Sequence, residues 1–185
     1  MAVGWLHVKN RSIQTELTAN KPPKGGFFVF RGRLMHLKKL DTSFYDENTH
    51  LVEALDNFNG NWQEGKARGY GVVIINLNNL TFAIPLRSNI KHKAAYITSS
   101  GTVKKGLDFS KAVLISKDSY VSNAPFKIPS EEHKKLLDKE HFVTHKFEKY
   151  VDHYIKAVKS SDQNILRSEE YRYTTLQNYH LELAV

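Results

Sequence analysis

The stretch Gly69–Ser88, GYGVVIINLNNLTFAIPLRS, decides the fold class. It reads as two strands, about Tyr70–Asn76 and Leu80–Leu86, joined by a turn at Asn78-Asn79. Both strands are apolar nearly throughout, which implies burial on both faces. Upstream, Met35–Leu40 reads as a short strand. A helix is expected over Glu47–Asn57, where Leu51, Val52 and Leu55 fall at helical spacing and Asn59-Gly60-Asn61 ends the run. Downstream, Ala94–Thr98 and Lys111–Ser116 fit further strands, with Ser99-Ser100-Gly101 as a turn. From Pro129 the period changes. Ser130 starts a helical stripe that runs to Lys159 and is long enough to break in two around Asp138–His141. The amphipathic run Arg172–Leu183 makes a last helix or strand. The order is early strands around a helix, an antiparallel sheet, then helices. The fold class is therefore α+β, with the C-terminal half mainly helical.

The bulk properties narrow the function. A chain of 185 residues that is 41% hydrophobic can bury a core as one domain. Cysteine is absent, which excludes disulfides, thiolate metal sites and a cysteine nucleophile. No apolar run approaches the roughly 20 residues that span a bilayer, and the N-terminus lacks the shape of a signal peptide, so a cytoplasmic protein without a membrane partner is expected. The net charge of +8 favours polyanion partners. Residues 1–33 hold six Lys/Arg and one Glu, however, so +5 of that charge lies there and +3 beyond it. That segment, with Lys-Pro-Pro-Lys-Gly-Gly at its centre, sustains no helical or strand period. Residues 1–34 are accordingly read as an upstream or poorly ordered extension, and 35–185 as a single domain that begins at Met35.

Local clusters must then carry any nucleic-acid reading. From Arg87 to Lys117 there are seven Lys/Arg and one Asp, a local +6 and the densest basic stretch after residue 35. Arg87, Ser88, Lys91, His92 and Lys93 follow Pro85 at the mouth of an apolar strand. RNA can be cut without a metal, because the ribose 2′-OH can attack its own phosphate. The protein must then align the phosphate, remove the 2′ proton, neutralise the phosphorane and protonate the leaving 5′ oxygen. Lys and Arg suit neutralisation, His or Lys suits proton transfer, and a Ser hydroxyl can bond a phosphate oxygen. The same run would also serve as ordinary solvated surface or as a phosphate-gripping loop without catalysis. Lys104 and Lys105 extend it.

Other signals are thinner. Asp41, Asp46, Glu47 and His50 match no metal-ligand spacing and read as helix caps and solvated charge. His141 and His145 lie four apart without the Glu of a zinc motif. Gly69-Tyr70-Gly71 is too short to cradle a nucleotide and reads as relief of crowding at a strand start. Nothing resembles a helix-turn-helix, so no DNA partner is expected.

The run Lys66–Ile74, followed by Phe82-Ala83-Ile84-Pro85-Leu86-Arg87-Ser88 and Lys91-His92-Lys93, resembles the ToxN/AbiQ/TenpN group of type III toxins, and the TenpN branch in particular. Gly106–Ile115 looks like the next core strand of that group, and Arg172–Gln177 like its C-terminal signature. The resemblance covers about Met35–Leu183 and places Met35 where such proteins begin. It implies a strongly bent antiparallel sheet related to the Kid/MazF toxins, an SH3-like barrel core with packed helices. It also implies metal-independent RNA cleavage without a cofactor, leaving a 2′,3′-cyclic phosphate and a 5′-OH. The partners implied are an RNA substrate and a small repeated RNA antitoxin held in a closed toxin–RNA assembly. Carried over residue by residue, it favours Ser88 and Lys91 as catalytic with Arg87 beside them. Arg68, or else Lys66, matches the basic residue ahead of the first strand, and His50 a helix residue facing the site. His92 is added on chemical grounds, and Lys93, Lys104 and Lys105 as RNA contacts. If translation starts at Met35, intact mass spectrometry of the natively expressed protein will lack residues 1–34; an intact N-terminus at Ala2 refutes that start.

Overall fold

The computed structural model describes residue 35 and residues 37–63, 65, 68–74, 77–99 and 101–185. The expectation for residues 1–34 lies outside the described residues. The chain runs through β1 (Leu37–Leu40), α1 (Thr42–Glu47), a small hairpin of β2 (Asn57–Phe58) and β3 (Asn61–Trp62), then β4 (Tyr70–Ile74) and β5 (Thr81–Ser88). It continues with β6 (Ala95–Ile97), β7 (Lys105–Asp108), β8 (Val113–Leu114) and β9 (Val121–Pro125). Helices α2 (Ser130–Lys134), α3 (Glu140–Lys159) and α4 (Gln163–Leu166) follow. These elements belong to one compact unit, Gly32–Val185. The fold is α+β. Its antiparallel sheet has the order β6-β7-β5-β4-β1-β9, with β8 also on β5, and does not close into a barrel.

The β4–β5 hairpin is the centre of that sheet, as its apolar run requires. Its register holds from Tyr70↔Pro85 to Ile74↔Thr81, and the 3-10 turn Leu77–Asn79 closes it with Asn79 at φ +54. Asparagine is among the residues that tolerate this left-handed backbone. Phe82, Ala83, Ile84 and Pro85 are all buried, so both faces of β5 are covered. One face meets α3, where the Phe82 and Phe147 rings lie 5.2 Å apart. α3 buries Val143, Phe147, Tyr150, Val151, Tyr154 and Ala157 at helical spacing.

Pro85 breaks the edge of this strand. Leu86 N–H bonds Gly69 O on the β4 side, so strand alternation points the Pro85 nitrogen at the other neighbour, where it has no hydrogen to give. Opposite it the partner strand is interrupted. Leu86 pairs with Leu107 in β7 and Ala83 with Val113 in β8, so only two residues of β5 face the five residues Asp108–Ala112. Three of these, Phe109–Lys111, fold out as a 3-10 turn that Asp108 caps. The expected single strand Lys111–Ser116 is therefore only Val113–Leu114, and β7 lies ahead of it.

The expected helix at Glu47–Asn57 is not there. The helix is α1, five residues earlier. Asp41 starts it by accepting from the Ser43 amide and hydroxyl, and Asn48 stops it by bonding Phe44 O through both backbone and side chain. Residues 48–56 are irregular, with Glu53 at φ +63 and Asp56 at φ +66. Their backbone is satisfied from far along the chain: Asn178 bonds both the N–H and the C=O of Val52, each at 2.8 Å. Of the supposed stripe only Leu51 is buried, while Val52 is 55% exposed. The helical break near Asp138 is present, with Asp138 at φ +56 between α2 and α3. The C-terminal run forms only a 3-10 turn, Thr175–Asn178, because Thr174 and Thr175 are tied into the core by hydrogen bonds.

Glycine is required where strands approach closely. A Cβ on Gly106 would lie 2.0 Å from the backbone oxygen of Tyr96 on the neighbouring strand, and one on Gly71 2.9 Å from the Met35 sulfur. Gly106→Ala is expected to destabilise the protein by about 2 kcal/mol or more, because backbone cannot yield as a side chain does. Urea unfolding will show the lowered midpoint; an unchanged midpoint contradicts this packing.

Candidate active site

The 3-10 turn that Pro85 forces out of the sheet sets a carboxylate, Asp108, into the core with no exposed surface. Asp108 lies on the same face as Arg87, because Leu86↔Leu107 is the neighbouring register pair and both chains alternate. Arg87 Nη1 donates to Asp108 Oδ2 at 2.8 Å. The other oxygen, Oδ1, accepts from the Ser110 amide at 3.0 Å and the Ser110 hydroxyl at 2.7 Å, and lies 3.4 Å from His92 Nε2. Burial pushes the Asp108 carboxyl up, but the bonds from His92, Arg87 and Ser110 outweigh it and hold the group below the usual carboxylate range. Arg87 and His92 are thus brought together, about an acid that motif reading passes over. The signal was present in the sequence: Asp108 is the one acidic residue between Arg87 and Lys117.

His92 is largely enclosed. Its Nε2 is engaged by Asp108 and lies 3.4 Å from the Ser110 hydroxyl, while Nδ1 is buried without a hydrogen-bond partner. The ring therefore orients the Asp108 pair rather than presenting a nitrogen to a bound strand. Arg87 keeps about a third of its side chain exposed and has donors left for an anion.

Ser88 ends β5, exposed, and alternation turns it to the face opposite Arg87. Asn89, at φ +60, then redirects the chain. Ile90 is buried, with its N–H on Lys104 O, so Ser88 and the exposed Lys91 flank one fixed plug. Lys93 and Lys104 are exposed, and neither pairs with an acid among the described residues. Lys105 Nζ lies 3.9 Å from Glu132.

Arg68 is used structurally. Its Nε and Nη2 clamp Asp56 Oδ2 at 2.9 and 2.8 Å, and its Nη1 donates to Leu86 O at 2.7 Å, anchoring the irregular 48–56 loop to the end of β5. Lys111, also unforeseen, is a buried ammonium that donates to the Glu53 carboxylate and carbonyl and to Tyr173 O. His50 is exposed in that loop rather than facing inward from a helix. Lys66 lies outside the described residues. His141 and His145 stack in parallel, and no three metal-ligating side chains converge among the described residues. A cleft of about 350 Å³ between α3, α4 and the C-terminal turn, lined by Tyr154, Tyr171, Arg172 and His180, includes none of the residues named for catalysis.

Asp108→Asn keeps the shape but leaves Arg87 and His92 facing a neutral group. It should cost about 3 kcal/mol, as loss of one partner from a buried pair does. Because the native carboxyl is held below its unfolded value near 3.9, its contribution is complete above that pH and is lost as pH falls through the native value. Urea titrations of both proteins should differ at pH 7 and converge below about pH 4; equal stability at pH 7 contradicts the role given to Asp108. No family model matches this chain, and no curated protein or solved structure matches it significantly.

Proposed function

We propose that this chain is a metal-independent endoribonuclease toxin of the ToxN/AbiQ/TenpN kind. The observation that carries the proposal is the end of β5, where a buried Asp108 holds Arg87 and His92 on one face and Ser88, Lys91 and Lys93 follow as exposed groups. Cationic groups on a rigid strand end are what a developing phosphorane needs, since preorganised charge stabilises it without rearrangement. In this reading the ribose 2′ oxygen attacks the adjacent phosphorus and the bond to the 5′ oxygen breaks. The 2′ proton leaves to a base, and the 5′ oxygen gains a proton from an acid. The products are a 2′,3′-cyclic phosphate and a 5′-OH.

The exposed Lys91 is the group open to carry a proton, Lys93 bears on the phosphate charge, Ser88 bonds a phosphate oxygen, and Arg87, on the other face of the strand, bears on the charge of the adjoining backbone. His92 acts through Asp108. Arg68, committed to Asp56 and Leu86, supports the strand end instead of touching RNA. The protein acts in the cytoplasm, arrests growth and so protects a population against phage, and is restrained by a small repeated RNA in a closed assembly. The Kid/MazF-like ancestry of the sheet belongs to the same proposal. Among the described residues no helix is long and apolar enough to cross a membrane.

Controlled expression of the chain from Met35 tests this. The wild type should stop growth and cut RNA in the presence of EDTA, with Ser88→Ala and Lys91→Ala each losing 10²-fold or more in cleavage rate. Equal growth of all three, with RNA bound but left intact, would replace the enzyme by a non-catalytic RNA-binding module.

A further inference from the structure

Helix α3 has a solvent face rich in lysine. Its twenty residues give a rod about 30 Å long. The apolar side, from Val143 to Ala157, is buried against the sheet. On the opposite side four exposed lysines stand along the rod: Lys146, Lys149, Lys156 and Lys159. Three exposed histidines, His141, His145 and His153, lie among them, against a single exposed acid, Asp152. At 100° per residue these groups share an arc of about 140°. The half-buried Glu148 sits at its margin, with Oε2 3.8 Å from His145 Nδ1, while the half-buried Glu140 lies on the side of the apolar face. None of the four lysines forms an ion pair with another described residue; Lys146 rests over the exposed Phe142 ring at 5.2 Å.

An ordinary solvated helix face mixes both signs and supports itself with i,i+4 pairs. On this one, four of the nine exposed positions are lysines against a single acid, and none of those lysines is ion-paired among the described residues. That is the footprint of a polyanion laid lengthwise. A membrane surface would need the apolar side of the helix, and that side is inside the protein.

We infer that the exposed face of α3 is a phosphate-binding track for an RNA backbone, separate from the end of β5 and independent of base sequence. Only the choice of RNA over DNA rests on the proposed function. Lysines 4.5 to 10.5 Å apart along the axis, at about 1.5 Å per residue, meet successive phosphates of a strand lying along the helix.

The experiment measures binding of the full chain to a 2′-O-methyl RNA, which cannot be cut by 2′-OH attack, as salt is raised. In the combined variant Lys146→Gln, Lys149→Gln, Lys156→Gln the slope of log K against log salt should shrink by about 2, with roughly tenfold weaker binding at low salt. The control Lys127→Gln, Lys134→Gln should match the wild type. Cleavage of a ribodinucleotide, too short to reach the track, should be unchanged in the combined variant. A wild-type slope in the combined variant overturns the track, as does loss of binding to phosphatidylserine vesicles without any change toward RNA. If no RNA is cut by any form yet the slope falls, the track stands and the ribonuclease reading fails. A DNA of the same sequence bound with the same slope change keeps the phosphate track but removes the preference for RNA.

Discussion

A carboxylate with no exposed surface is tolerable only if other groups do the work of water, and Asp108 meets that demand in full. Two donors from Ser110, the imidazole of His92 and the guanidinium of Arg87 surround it. The arrangement follows from a covalent fact a strand away. Pro85 offers no hydrogen to the edge, the facing strand loops out, and the loop's first residue becomes a buried cap. The positions of Arg87, His92 and Ser110 all depend on that one anion.

The basic stretch is less bare in space than along the chain. Of its seven cations, Arg87 meets Asp108, Lys105 approaches Glu132, Lys111 meets Glu53 and Lys117 meets Glu47. Three of those acids come from outside the stretch, so a running charge count overstates the field the surface presents. Lys91, Lys93 and Lys104 remain unpaired among the described residues, and they sit beside the ordered strand end. Positive charge is left over where a phosphate could use it, while the buried share holds loops together.

The hairpin at Tyr70–Ser88 and the paired helices after Pro129 were legible because unbroken apolar runs and a 3.6-residue period are local signals. The helix near Glu47 was misplaced because its cap, Asp41, lies before the window in which Leu51, Val52 and Leu55 imitate a period. The satisfaction of that segment comes from Asn178, which no local pattern reveals. At the site, strand alternation could have separated Arg87 from Ser88. Asp108 meets Arg87 through the Leu86↔Leu107 register, and a pairing between strands about twenty residues apart leaves no mark in hydropathy. Lys111 enters the local charge count like any other cation, because a lysine buried on distant carbonyls looks the same in sequence as one in water.

The bonds between Asn178 and Val52 span 126 residues and have a temporal meaning. Glu53 and Asp56 sit in the loop those bonds fasten, and they in turn fasten Lys111 and Arg68. A chain still emerging from the ribosome lacks this fastening until residue 178 is free, since long-range closures form only when both ends exist. The loop behind the strand end is therefore fastened only once residue 178 has emerged, and a nascent chain halted before it holds Glu53 and Asp56 without that tie.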